Sequence, residues 1–172
     1  MKKLMWIQGF LPEKLNKKIT EQCHKNNKEL KLSERFLIYP LHISLKRTFV
    51  YADFEKTKET IRQVLERHHK FRCCRMRPYR IEKMLWLLFD YDEELIEIHK
   101  DLDETLYADQ QIIIDEYDRQ YLPHITLFHD EDIQKLDLMA AKLSQELSTE
   151  CFTIEKIAIG SKEKDNEIII LN

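Results

Sequence analysis

Two segments in opposite halves of the chain, PLHISLKR at 40–47 and LPHITLFH at 122–129, carry histidine, isoleucine, a hydroxyl residue and leucine in the same order. The openings of the two halves match as well. LMWIQGFLPEKL from Leu4 and MLWLLFDYDEEL from Met84 align the two tryptophans, Trp6 and Trp86, together with Glu13 and Glu93, and Leu15 and Leu95. The tryptophans lie 80 residues apart and the motif histidines, His42 and His124, 82. One small loop insertion accounts for that drift. An internal repeat restricts the fold strongly, because each half must form the same supersecondary unit.

Each half opens on an apolar, strand-like run followed by a helical pattern. Leu11, Leu15, Ile19 and Cys23 recur every four residues, with Pro12 in the first turn, where a helix tolerates proline. Leu95, Ile98, Leu102 and Leu106 are spaced three or four apart in the second half. A connection leads to each histidine segment, which reads as a strand. A second helix follows in each half. One spans about 54–67, with Asp53 as N-cap and Phe54, Ile61, Val64 and Leu65 inward. The other spans about 131–147, with Asp130 as N-cap and Leu136, Ala140, Leu143 and Leu147 inward. Strands at 71–81 and 152–159 close the halves, and a last strand occupies 167–171. The expectation is an α+β fold of two pseudo-symmetric β-α-β-α-β lobes, with mainly antiparallel sheets flanking a central cleft. A length of 172 residues suits a single bilobal domain, with repeats at about 4–81 and 84–160 and the closing strand at 167–171.

A formal charge of −3 argues against a broad, sequence-indifferent DNA-binding surface. A local basic groove is left open by Lys70, Arg72, Arg75, Arg77 and Arg80, whose plainer reading is a solvated strand face. No run approaches the ~18 apolar residues that cross a membrane. Gln8, Pro12, Glu13 and Lys14 interrupt any signal-peptide core after Met1-Lys2-Lys3, so a cytoplasmic, monomeric protein is expected. Cys23, Cys73, Cys74 and Cys151 form no C-x-x-C pair and are expected to be reduced, partly buried thiols. Gly9 and Gly160 are the only glycines, which rules out a glycine-rich phosphate loop. No H-E-x-x-H spacing occurs, which disfavours a zinc hydrolase. His68-His69 reads as a helix C-terminal cap, His99 as an exposed helical residue, and the acidic run 90–94 as a helix N-terminus.

Alternate residues of a strand share a face. His42, Ser44 and Lys46 are therefore expected on one face, and His124, Thr126 and Phe128 on the other copy's equivalent face. A lone histidine on such a strand is usually structural. Two copies at equivalent points of a repeat can be brought to one cleft by a pseudo-two-fold axis. With an ordinary pKa of ~6.5, one imidazole can be neutral while the other is protonated. That pairing suits cleavage of a phosphodiester, in which one ring takes a proton and the other gives one. Ser44 and Thr126 hydroxyls can donate to the non-bridging phosphate oxygens. Neither role needs a metal or another cofactor.

The paired H-x-[ST]-apolar motifs on a duplicated β-α-β frame, with the opening WIQGFLPEKLNKKI, resemble the two-histidine (2H) phosphoesterase superfamily, including bacterial 2′-5′ RNA ligase-like proteins. The resemblance implies a phosphodiesterase acting without metal on RNA 2′,3′-cyclic phosphate ends, 2′-5′ linkages or small cyclic nucleotides. It implies His42 and His124 as catalytic residues and Ser44 and Thr126 as phosphate-binding residues. The family commonly has a basic residue shortly after the second motif, where this chain has Phe128 and His129. The phosphate charge then falls to Lys46, or to Arg47 if the strand twists. Tyr39, Tyr121 and Phe128 are candidate substrate contacts, Phe128 reading more readily as core. The alternative is a non-catalytic module that binds RNA or a nucleotide in the same cleft.

Overall fold

The computed structural model describes residues 3–110, 112, 116–147, 150–162 and 166–172. The first half supplies β1 (Leu4–Phe10), α1 (Glu13–Leu30), β2 (His42–Val50), α2 (Phe54–Leu65) and β3 (Phe71–Ile81). A 3-10 turn, Glu34–Phe36, precedes β2. The second half supplies β4 (Met84–Tyr91), α3 (Glu93–Gln110), a short α4 (Glu116–Arg119), β5 (Ile125–His129) and α5 (Ile133–Glu146). Three strands follow: β6 (Phe152–Ile154), β7 (Lys156–Ser161) and β8 (Glu167–Ile170).

Local chemistry accounts for the helix starts. Asp53 caps α2, its carboxylate accepting from the Lys56 N–H at 3.1 Å. In the second half the cap is Asp132, accepting from Lys135 N–H, so α5 begins two residues later than the sequence suggests. Asp130 is used otherwise: its carboxylate accepts from the backbone of Asp132 and of Ser33, tying the end of β5 to the loop before β2. Pro12 stands at the N-cap position of α1 rather than within its first turn. Ile61, Val64, Leu65, Leu136 and Leu143 are buried as expected, while Phe54, Ala140 and Leu147 pack at the margin of the core.

The strands form two antiparallel four-stranded sheets, ordered β2-β1-β7-β8 and β5-β4-β3-β6. Exchanging the halves maps β2-β1-β7 onto β5-β4-β3, while the fourth strands, β8 and β6, both come from the second half. The sheets are not built from one repeat each, however. Strand β3 of the first half pairs with β4 and β6, and β7 of the second half pairs with β1. The run 152–159, expected as one strand, is therefore two, and Glu155 marks the passage from one sheet to the other. Ile154 and Ile157, on either side of that passage, are both fully buried. A single hydrophobic core runs through both sheets and the helices. In β1 and β4 every second residue is buried, leaving Trp6 and Gln8, and Trp86 and Leu88, on a partly open face. Gly160 lies opposite Trp6 on β7, and a Cβ there would fall 2.2 Å from the indole nitrogen, so no larger residue fits beneath that ring.

The cysteines depart from expectation. Cys74 and Cys151 form a disulfide. The β3–β6 ladder pairs Cys73 with Phe152, which makes Cys74 and Cys151 the next facing pair, with Cα atoms 4.0 Å apart. Cys23 and Cys73 are buried free thiols, and burial pushes Cys23 up to about 12 and Cys73 up as well.

Candidate active site

Strands β2 and β5 each stand at one edge of their sheet, and they lie against each other. The two histidine motifs therefore meet at the junction between sheets. His42 opens β2 and faces Phe10 across the ladder, while Ser44 faces Gln8. His124 immediately precedes β5, and Thr126 faces Trp86. A hydrogen bond from Tyr121 Oη to the Ser44 carbonyl, 2.9 Å long, links the approach to β5 directly to β2.

The imidazoles are held alike. His42 Nδ1 lies 3.1 Å from the Pro40 carbonyl and His124 Nδ1 2.7 Å from the Leu122 carbonyl, each two residues upstream. A carbonyl can only accept, so each Nδ1 carries the hydrogen and each neutral ring keeps its Nε2 lone pair free for chemistry. His124 also stacks on Trp86, ring centroids 3.7 Å apart. Burial holds both histidines below their usual range, and the carbonyls oppose this only in part. The charge of His42 depresses His124 further.

Each motif contains a bulge that the alternation of a regular strand does not foresee. The ladder passes from Gln8–Ser44 to Ile7–Lys46, and from Trp86–Thr126 to Leu85–Phe128, skipping Leu45 and Leu127. One extra residue reverses the faces beyond it. Leu45 and Lys46 consequently both turn inward, as do Leu127 and Phe128. Lys46, expected beside His42 and Ser44, is 3% exposed, its ammonium 2.8 Å from Asp103 and 2.5 Å from Asp118. Phe128, a candidate substrate contact, is fully buried core. The residues that emerge instead are Arg47 and His129. Arg47 lies over the Tyr117 ring at 3.9 Å, and His129 against Phe36.

A cavity of about 440 Å³ opens beside His124, lined among others by Ser44, Arg47, Trp86, Tyr117, Tyr121 and Leu122. Tyr121 thus lines this cavity, its ring stacked on His99 at 3.7 Å and burial raising its hydroxyl. Tyr39 does not line this cavity. It is exposed, follows a different course into a cis bond with Pro40, and borders a separate hollow beside Phe10 and Lys156. His99, expected at the surface, is buried and lines the cavity beside His124. His68 is not a simple helix cap, since its ring joins Glu94 and Asp101 of α3. Arg75 and Arg77 pair with Asp90, and Arg80 with Asp137, outside the cavity lining.

His99, Asp103 and Asp118 bring three possible ligand atoms together, but Lys46 already sits among these carboxylates as their cation. Burial pushes the Asp103 carboxyl up, opposed by Lys46 and His99. Sequence reasoning missed this cluster because its members come from β2, α3 and α4. One signal was available: in the repeat Lys46 aligns with Phe128, a residue type at home in a core.

Among the described residues no helix is long and apolar enough to cross a membrane. No curated protein sequence matches the chain. Similar folds occur among solved structures, at low identity. Escherichia coli LigT complexed with 3′-AMP has a TM-score of 0.61 at 14% identity, covering 100% of this chain and 96% of that one. LigT complexed with phosphate gives 0.58 at 13%, with the same coverage. Kluyveromyces marxianus Usb1 with uridine monophosphate gives 0.53 at 14%, covering 99% of each chain. The family model of the 2′-5′ RNA ligase superfamily matches residues 13–166. Two histidine motifs at a sheet junction, in a chain that this model matches over nearly its whole length, place the protein in the 2′-5′ RNA ligase superfamily, within the 2H phosphoesterases.

Proposed function

We propose that the protein is a metal-independent phosphodiesterase whose substrate is an RNA 2′,3′-cyclic phosphate end, a 2′-5′ linkage or a small cyclic nucleotide. The observation that carries this reading is the matched tethering of His42 and His124 by carbonyls two residues upstream, which leaves both Nε2 atoms available. In hydrolysis of a cyclic phosphate, the neutral imidazole takes a proton from water as the water oxygen bonds to phosphorus. The imidazolium donates its proton to the departing ribose oxygen as that P–O bond breaks. Ser44 and Thr126 hydroxyls support the non-bridging oxygens, and Arg47 supplies the positive charge first sought in Lys46. The nucleotide and phosphate complexes of LigT and Usb1 are consistent with a phosphate-centred site here.

The test is hydrolysis of 2′,3′-cyclic nucleotides and 2′-5′ dinucleotides in EDTA by wild type, His42→Ala and His124→Ala. Each substitution is expected to lower kcat by about 10²- to 10⁴-fold with the fold intact. Activity surviving either substitution sinks the two-histidine mechanism. Stoichiometric binding without turnover across the panel indicates the binding module instead.

A further inference from the structure

We propose that Lys46 is a positioning residue, a buried latch that seats α4 as the outer wall of the cavity beside His124. The role rests on the phosphodiesterase reading only for its kinetic consequence. Helix α4 has four residues, too few to be stable alone. The only one of them that is buried is Asp118. The wall is therefore not anchored as helices usually are, through apolar side chains. Asp118 reaches Lys46 of β2 at 2.5 Å, and its backbone carbonyl lies 3.1 Å from His99 Nε2. His99 Nδ1 in turn lies 2.7 Å from the Leu45 carbonyl, within the β2 bulge. Both ring nitrogens of His99 thus face carbonyl oxygens, one on β2 and one on α4, while the Lys46 ammonium faces Asp103 and Asp118.

The same bulge residues hold the rest of the wall. Tyr117 lies against Arg47, and Tyr121 stacks on His99 while donating to Ser44. The fold itself does not require this charge, because Phe128 fills the equivalent place in the second motif as ordinary core. Buried ion pairs are weak sources of stability. Here the pair joins the strand carrying His42 and Ser44 to the segment carrying Tyr117 and Tyr121, so the Lys46 ammonium holds this wall of the cavity against β2.

The experiment compares wild type with Lys46→Met, Lys46→Arg and the charge-free triple variant Lys46→Met/Asp103→Asn/Asp118→Asn. Hydrogen exchange over residues 116–122 is read alongside KM and kcat for a cyclic nucleotide. The triple variant also neutralises Asp103 and Asp118, whose buried charge, left without its cation, would destabilise Lys46→Met. It is expected to fold, to exchange at least tenfold faster over 116–122, and to raise KM about tenfold with kcat within threefold. Lys46→Arg is expected to recover most of the protection. Unchanged exchange over 116–122 in the triple variant overturns the latch. So does loss of inorganic phosphate binding with protection intact, which makes Lys46 a phosphate ligand. Since exchange needs no turnover, an inert wild type whose protection still depends on Lys46 rejects the phosphodiesterase reading and leaves the latch standing.

Discussion

Both motif histidines are neutral-leaning in the free protein, and this has a consequence for pH. The kcat/KM profile reports the free enzyme, in which one ring must be protonated and the other not. Burial lowers both from 6.5, so the optimum of kcat/KM is expected below pH 6.5, with apparent values belonging to the pair. Bound phosphate favours the imidazolium, so the kcat optimum lies higher. Steady-state kinetics between pH 4.5 and 8 check this, and a kcat/KM optimum above 7.5 contradicts it. Stability moves in the same window. The unfolded chain takes protons at these histidines first as pH falls past about 6.5, so their contribution is full above that pH. It is lost as pH falls through the lower folded values. Thermal melts are expected to weaken from pH 7 to 5.5, and less so in a His42→Asn/His124→Asn variant.

At the scale of elements, the strands place the histidines and the segments before them fix the rings. The segment before His42 is held by Asn16 of α1, itself 1% exposed. Its side chain accepts from the Leu41 N–H at 3.0 Å and donates to the Leu41 carbonyl at 3.2 Å, as a paired strand would. Asn16→Leu leaves the Leu41 N–H unpaired next to His42. It is expected to cost about 1–3 kcal/mol in urea denaturation and to lower kcat more than it raises KM. Unaltered kcat in a folded Asn16→Leu protein would show that the clamp is structural only. The helices around these segments were legible from periodicity and caps, down to the Asp53 cap. The α5 start was not, because Asp130 and Asp132 are equally good caps in isolation. Only the pairing of Asp130 with Ser33, distant in sequence, leaves Asp132 to cap the helix.

For the whole molecule, the exchange of β3 and β7 between sheets makes the halves interdependent. Fragments 1–82 and 83–172 each lack strands that belong inside their own sheet. Neither fragment is expected to melt cooperatively alone, whereas a mixture is expected to regain helix and sheet by circular dichroism. A cooperative melt of either fragment contradicts the exchange. The sequence by itself determined the duplication, the two histidine strands, most helix faces and the family, because these rest on local periodicity and short motifs. The tertiary structure decided which strands share a sheet and how each motif is bulged. It also decided that Lys46 turns inward to Asp103 and Asp118 while Arg47 turns outward. A bulge exists only in relation to the strand it pairs with, and a buried charge is stable only beside partners from other elements. Neither relation is written in the order of residues along one strand.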